Sequence, residues 1–531
     1  MEVYSKLSPT DQQKFVDQSV KDFHGDNALL PLPRVFSAED MDILKKGVSQ
    51  RARALQLFLK DYYSGQKGYA TSGVIPEAAV QAALNRSMEN GLPDFSASKS
   101  FNFWYGPDVL RDSNGNFRVV EDNLGFIGGM GDLALARKSL IKNIPEYKDA
   151  VNKTASPDFF YEKMAENYKA MAQENGGIAL LISYPPKMSS DNEDVRVRKI
   201  FKNHGVETFN FREKNNSEIN YLSMEKDGLY LITPKPEKAF PGRTKVPKKK
   251  KVGHVILDLE SQHIDALYDK NYRRHVFDEV ENVVEGTNVP KADRLKVADL
   301  GKRDPITGEW DEKPMVKWLQ TRGKKLFGSS GLEPTGYEGF WELVKDGKVS
   351  VTNQLGNEFI NDKGFYPYVE DLIRHYLNEE PILKNIETFP AVTFDKNGNA
   401  VPNQEILARA KKSPADYVIK GVNGRGGDSV WIGKKMTQAE FESVLGQVSK
   451  NPLYYIFQKY TPLSVIKVMG EDYIVDARLI SDVSSTGVIS AGVPWVRATP
   501  KSGNGKVNIS DRGKEVTGIA ENPVDCNKLL H

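Results

Sequence analysis

The chain has 531 residues, 27% of them charged and 39% hydrophobic, and a formal net charge of +2 at pH 7. That length exceeds what one hydrophobic core organises, and the near-balanced charge supplies no field for gathering nucleic acid or a membrane surface. A single cysteine, Cys526, excludes an internal disulfide framework. No apolar run approaches the ~20 residues needed to cross a bilayer and Met1–Leu7 lacks the regions of a signal peptide, so the expected location is the cytoplasm.

Residues 1–95 read as a helical region. Ser37-Ala38-Glu39-Asp40 is a capping box before an apolar-periodic run from Met41 to Tyr63, and Pro76 opens a helix reaching Met88. Two strand-like runs follow, Phe101 to Arg111 and Phe117 to Val120, around Ser113-Asn114-Gly115-Asn116, where Asn-Gly signals a two-residue hairpin turn. Counting outward from Ser113 opposite Asn116 sets Leu110 against Val119 and Asp108 against Glu121. The period of two then carries Asn123 onto the face of Glu121. Facing carboxylates repel, and a divalent cation would resolve the repulsion. Carboxylate and amide oxygens suit Mg²⁺, whose remaining ligands are phosphate and water. The plain alternative is a surface hairpin with solvated acids. On the metal reading, Asp108→Asn or Glu121→Gln lowers turnover far more than stability.

From Gly177 the pattern becomes α/β: a buried strand Ile178 to Ile182, a helix Asp194 to Asn203, and a strand Val206 to Phe211. Strands Leu229 to Thr233 and Val255 to Leu259 are separated by a basic run, Lys245 to Lys251, which reads as a solvated loop tip. Phe365, Val369, Leu372, Ile373 and Tyr376 form one apolar helical stripe, with Arg374 and Glu379 at its polar edge.

Further on, Tyr417 to Lys420 and Ser429 to Ile432 look like strands joined by Gly421-Val422-Asn423-Gly424-Arg425-Gly426-Gly427-Asp428. A Walker A loop or a dinucleotide fingerprint would open a helix, so neither applies. A glycine loop between strands folds over a triphosphate through its backbone N–H groups, with Lys420 adding a point charge; a simple glycine-rich turn is the alternative. Tyr454 to Tyr460 reads as a buried strand running into a hinge, where its rings could sandwich adenine and Gln458 or adjacent backbone could meet the base edge; a plain core strand is the alternative. Asp472 to Ile480 alternates as a strand with Asp476 and Arg478 on one face. Arg478 and Arg497 are either clamps on transferring phosphate or ion-pair partners of Asp476.

Together these features resemble the circularly permuted ATP-grasp family, in which the acidic hairpin precedes the glycine-rich loop. The likeness rests on Asp108 and Glu121-Asp122-Asn123, the runs Gly347 to Gly356 and Asp362 to Asn385, Tyr272-Arg273-Arg274, Lys420, Gln458, the Asp476/Arg478 strand, Arg497 and Asn508. It implies an α/β (α+β), multi-lobed ATP-grasp fold in permuted order. The expected divisions are a helical region 1–95, a segment 96–170 carrying the metal-binding hairpin, an α/β substrate domain 175–385 and an ATP-binding lobe 386–531. By the same likeness Asp108, Glu121 and Asn123 would hold Mg²⁺. Lys420, Asn423, Gly424, Gly426, Gly427, Gln458, Lys459, Tyr460 and Asn508 would hold ATP, and Arg273, Arg274, Arg478 and Arg497 would act on the substrates. The implied reaction joins a small-molecule carboxylate to an amine (amino acid, peptide or polyamine) through an acyl phosphate, with no nucleic-acid or membrane partner. Val493-Pro494-Trp495-Val496-Arg497 stands where the family tends to have a Gly-Gly-Leu-x-Arg run. That departure keeps open nucleotide binding without turnover; transfer of phosphate to another acceptor, as in some ATP-grasp relatives, is the other alternative.

Overall fold

The computed structural model describes residues 2–22, 28–87, 101–125, 127–183, 193–210, 220–233, 248–258, 339–354, 356–422, 429–503 and 513–521. Arg273, Arg274, Asn423, Gly424, Gly426, Gly427 and Asn508 lie outside the described residues.

The long N-terminal helix Ala38–Ser64 starts at the expected capping box, Ser37 and Asp40 each bonding the other's backbone N–H, and stops at Gly65 in the left-handed region. Its apolar stripe, from Met41 through Leu59, enters the largest core. The helix Val369–Leu377 lies against it, with Phe58 and Phe365 at 4.8 Å between ring centroids. The stripe ending in Tyr376 is thus core, and Arg374 stays outside beside Asp371 and Glu380.

Three sheets position the site. The first is a seven-stranded sheet running Lys384–Asn385, Phe117–Glu121, Asp108–Arg111, Glu471–Arg478, Trp495–Pro500 and Lys514–Val516, with Val465–Val468 added on Glu471–Arg478. Strands distant in the chain are therefore neighbours. The second is four-stranded: Thr388–Pro390, Tyr455–Lys459, Tyr417–Gly421 and Val430–Ile432, all antiparallel. Helices Gln404–Lys412 and Gln438–Lys450 cover one of its faces and form a separate core with Tyr417, Ile419, Tyr455 and Phe457. The third, six-stranded sheet has a parallel part, Val206–Asn210, Ile178–Ser183, Lys248–Asp258 and Ser350–Thr352, extended by the antiparallel Gly228–Thr233 and Tyr221–Glu225.

The basic run departs from expectation. Lys248–Lys251 opens the 11-residue strand Lys248–Asp258, paired there with Gly228–Thr233. Lys249 pairs with Glu225 at 2.5 Å and Lys250 pairs with Glu207. Acids on nearby strands supply the cross-strand partners that let a lysine run extend as sheet.

Candidate functional site

The acidic hairpin differs from the two-residue turn in an instructive way. Asp112 and Asn116 close a three-residue loop. Asp112 N–H donates to Asn116 O at 2.9 Å, and Asp112 Oδ1 accepts from the N–H groups of Asn114 and Asn116. Gly115 has φ +86°, the left-handed residue such loops need. The shorter count pairs Val109 with Val119 and Leu110 with Arg118, correcting the Leu110–Val119 pairing. Continued unbroken, it would set Asp108 against Val120. A bulge between Asp108 and Val109 restores Asp108 opposite Glu121.

Facing carboxylates here need no metal to offset them. Asp108 accepts from Arg478 Nε at 2.8 Å, and Arg497 Nη2 lies 2.9 Å from its other oxygen. Arg497 also forks onto Asp476 at 3.0 and 2.6 Å. Burial alone would raise the Asp108 carboxyl, but the two guanidiniums outweigh it and hold it well below the usual range. Burial, with the Asp108 charge beside it, pushes Asp476 up against the pull of Arg497. Glu121 lies 3.1 Å from Lys363. Asn123 spends its Nδ2 on Gly106 O at 3.2 Å, so its carbonyl oxygen is the atom of that amide suited to a cation.

Both arginines thus already have carboxylate partners. Trp495 stacks over them, its ring 5.3 Å from Arg478 and 4.8 Å from Arg497, while its Nε1 donates to Glu515 at 3.0 Å. Gly129, at φ +96°, makes room for that ring: a Cβ there would sit 2.2 Å from it. The Trp495 that breaks the family run therefore has its own seat.

Lys420 comes from the four-stranded sheet. Ile419 enters the helix-covered core, so alternation turns Val418 and Lys420 to the opposite face; their partners Gln458 and Ile456 share it. Tyr455 and Phe457 point into the core, which corrects the expectation that they stack on adenine. Ile456 and Val418 are apolar residues on that face, with Val430 and Ile432 beside them on the neighbouring strand. Gln458 Nε2 donates to Thr388 Oγ1 at 3.1 Å and reaches Val120 O at 3.5 Å. Lys459 turns elsewhere, 3.6 Å from Asp416 and over the Tyr417 ring, and Tyr460 N–H donates to Asp416 O.

A short stretch stitches the two sheets together. Lys384–Asn385 pairs with the acidic strand, Ile386 N–H donates to Val119 O, and Thr388–Pro390 pairs with Ile456–Gln458. Lys420 is thereby brought into the field of Glu121 and Asp108. Burial pushes its ammonium down to about 8; Glu121 opposes the shift and Lys363 adds to it. Lys420 is half-buried, so part of it stays accessible.

Two carboxylates and an amide on one rim, with Lys420 and Lys363 beside them, suit a divalent cation carrying phosphate oxygens. Lys363 went unassigned from sequence, although it stands in the Asp362 to Asn385 run; its contact with Glu121 depends on the tertiary fold. Among the described residues no three His, Cys, Asp or Glu side chains gather as a metal cluster, and no helix is long and apolar enough to cross a membrane.

The model of one protein family, described as circularly permuted ATP-grasp type 2, matches residues 33–186 and 330–485. An uncharacterized protein of Mycobacterium tuberculosis is 23% identical over 542 aligned positions, taking in 96% of this chain and 79% of that protein. A Frankia alni protein provisionally named glutamate–cysteine ligase 2-3 is 23% identical over 83% of this chain and 41% of its own length. Among solved structures, the apo form of a glutathione synthetase-like effector from Globodera pallida superimposes with a TM-score of 0.52 at 10% identity, covering 97% of this chain and 98% of that one. That likeness bears on the fold alone.

Proposed function

Because the chain belongs to the circularly permuted ATP-grasp type 2 family, we propose that it is an ATP-dependent carboxylate–amine ligase, making an amide or peptide bond through an acyl phosphate with release of ADP and phosphate. The observation that carries this reading is the sheet junction that sets Lys420, on one sheet, within electrostatic reach of Glu121 and Asp108 on another. The similarity to a protein named as a glutamate–cysteine ligase supports amino-acid-like substrates.

On this reading Asp108, Glu121 and Asn123 hold Mg²⁺, which when bound would neutralise phosphate oxygens during transfer. Lys420 and Lys363 hold the nucleotide phosphates. A phosphate arriving beside Lys420 restores the charge that burial disfavours, so the site gains more from binding an anion than an exposed lysine would. Val418 and Ile456 offer an apolar seat for the base, and Gln458 its edge. Arg478 and Arg497, paired with Asp108 and Asp476, lie beside the metal rim and stabilise negative charge developing on the transferred group. The lobe built on Ile178–Ser183 and Lys248–Asp258 presents the acid and amine. Arg273 and Arg274 remain the proposed carboxylate anchors.

ADP release from Mg-ATP is measured with pooled amino acids, short peptides and polyamines, with hydroxylamine present. Substrate-dependent ADP with a hydroxamate identified by mass spectrometry is the expected result. A phosphorylated acceptor without amide, or nucleotide bound and never consumed, would replace the ligase reading.

A further inference from the structure

The metal-facing residues sit where the sheet stops supporting them. Ladder pairing of the acidic strand with Asp108–Arg111 ends at Glu121, just past the bulge, and beyond it the backbone is held by Gly106 N–H to Asn123 O at 3.0 Å and Gly125 N–H to Trp104 O at 2.9 Å, around an isolated Tyr105–Leu124 bridge. The side chain between the two proposed ligands is Asp122, which alternation turns the other way, into the core. There Arg51 of the helix Ala38–Ser64 grips it with a fork: Nε to Oδ1 at 3.0 Å and Nη2 to Oδ2 at 2.7 Å. The Tyr105 hydroxyl donates to the same Oδ1. Both side chains of the ion pair are essentially sealed from solvent, at 0% and 1% exposure.

The third Arg51 nitrogen donates to Leu383 O at 3.2 Å, immediately before the Lys384–Asn385 strand that flanks the acidic strand. Neighbouring Gln50 holds the preceding turn, donating to Glu380 O at 3.0 Å and accepting from Ile382 N–H at 2.9 Å. One helical turn thus grips the acidic strand from behind and its flanking strand from the side. A fork onto a carboxylate fixes direction as well as distance, and rotation of Asp122 about the strand axis would swing Glu121 and Asn123 with it.

We propose that Arg51 is a positioning residue for the metal site: by holding Asp122 against the core it sets the rotation that points Glu121 and Asn123 at one cation. This rests on the metal-site reading above. A buried ion pair of this kind is weak evidence for stability in itself, since desolvation offsets most of its attraction. Its gain lies in geometry.

The test measures Mn²⁺ affinity by electron paramagnetic resonance on the full chain, alongside nucleotide affinity in EDTA and the melting midpoint. Arg51→Lys keeps the charge and loses the fork. It is expected to weaken Mn²⁺ binding by about 10- to 100-fold, the usual scale for partners of metal ligands, with metal-free nucleotide affinity within about twofold of the parent. A folded Arg51→Lys protein with parental Mn²⁺ affinity overturns the proposal. Should that variant not fold, Tyr105→Phe decides: it removes one donor to Asp122 and leaves the ion pair. A drop of about two- to fivefold in Mn²⁺ affinity at an unchanged melting midpoint supports the proposal, and no drop overturns it. Glu121→Gln is run in parallel. If it loses Mn²⁺ while Arg51→Lys does not, the positioning role alone falls; if Glu121→Gln also keeps parental affinity, the metal site itself falls and takes the proposal with it.

Discussion

The chain makes one turn twice. In Asp112-Ser113-Asn114-Gly115-Asn116 and in Asp395-Lys396-Asn397-Gly398-Asn399 the aspartate N–H donates to the last asparagine's carbonyl, at 2.9 and 3.0 Å. The glycine N–H donates back to the aspartate carbonyl, and the aspartate Oδ1 accepts from the N–H groups two and four residues on. Both glycines have positive φ, +86° and +80°. Four residues before the turn aspartate the likeness ends. One position is Asp108, clamped by two arginines inside a seven-stranded sheet; the other is Ala391, fully buried in the apolar core under the helices. A turn is written in five residues, whereas a site is written in what the turn's strands are packed against.

The largest expected effect breaks that contrast at Asp108. Asp108→Asn leaves two buried guanidiniums facing Asp476, and removing one partner of such a set costs about 3–5 kcal/mol, read as a shift in urea midpoint. This revises the expectation that losing either acid spares stability; for Glu121, a quarter exposed and 3.1 Å from Lys363, a small stability change remains the expected outcome. A parental midpoint in Asp108→Asn would mean that the arginines find other partners. Next, Glu121→Gln lowers ADP release by about 100-fold, while Thr393→Val on the exposed face of the second hairpin leaves it unchanged. Equal activities would remove the functional difference between the hairpins.

Turn loss separates them more gently. Asp112 also accepts from Arg118 Nε at 3.0 Å and is 5% exposed, so Asp112→Ala costs about 1–2 kcal/mol, and Asp395→Ala shifts the midpoint less. Burial works against ionisation of Asp112, but bonds from Asn116 and Arg118 outweigh it and lower its pKa. Its contribution is therefore present above the ordinary carboxylate pKa and lost as pH falls below it. Equal losses at both turns would show that the sheet around Asp112 adds nothing.

The smallest effect is a titration. With Lys420 pushed down to about 8, the ammonium present below that pH is lost as pH rises through it. Metal-free ATP affinity is expected to be flat from pH 6 to 7 and to fall by about fivefold towards pH 9, with Lys420→Arg flat throughout. A flat profile in the parent protein would take Lys420 out of the nucleotide site.

Much was legible without coordinates. The capping box at Ser37, the helix before Ser64, the strand Ile178–Ser183 and the Asp108–Glu121 pairing follow from local chemistry and period-two counting. The pairing came through although the turn was longer than counted, because a bulge cancelled the missing residue. The basic run differs from expectation because its strand depends on acids 24 and 43 residues away in the chain, Glu225 and Glu207, which no local window contains.

What the sequence determined by itself is therefore local or modular: helix starts, turns, strand alternation, the permuted order of the acidic hairpin and glycine loop, and through these the family. What only the tertiary structure decided is which charges meet. Lys363 faces Glu121, Arg497 is shared by Asp108 and Asp476, Arg51 stands behind Asp122, and Trp495 rests over two arginines. Each pair joins segments that the chain keeps apart. Coulomb energies and hydrogen bonds depend on distance and burial, which hydrophobic periodicity brings about but does not encode.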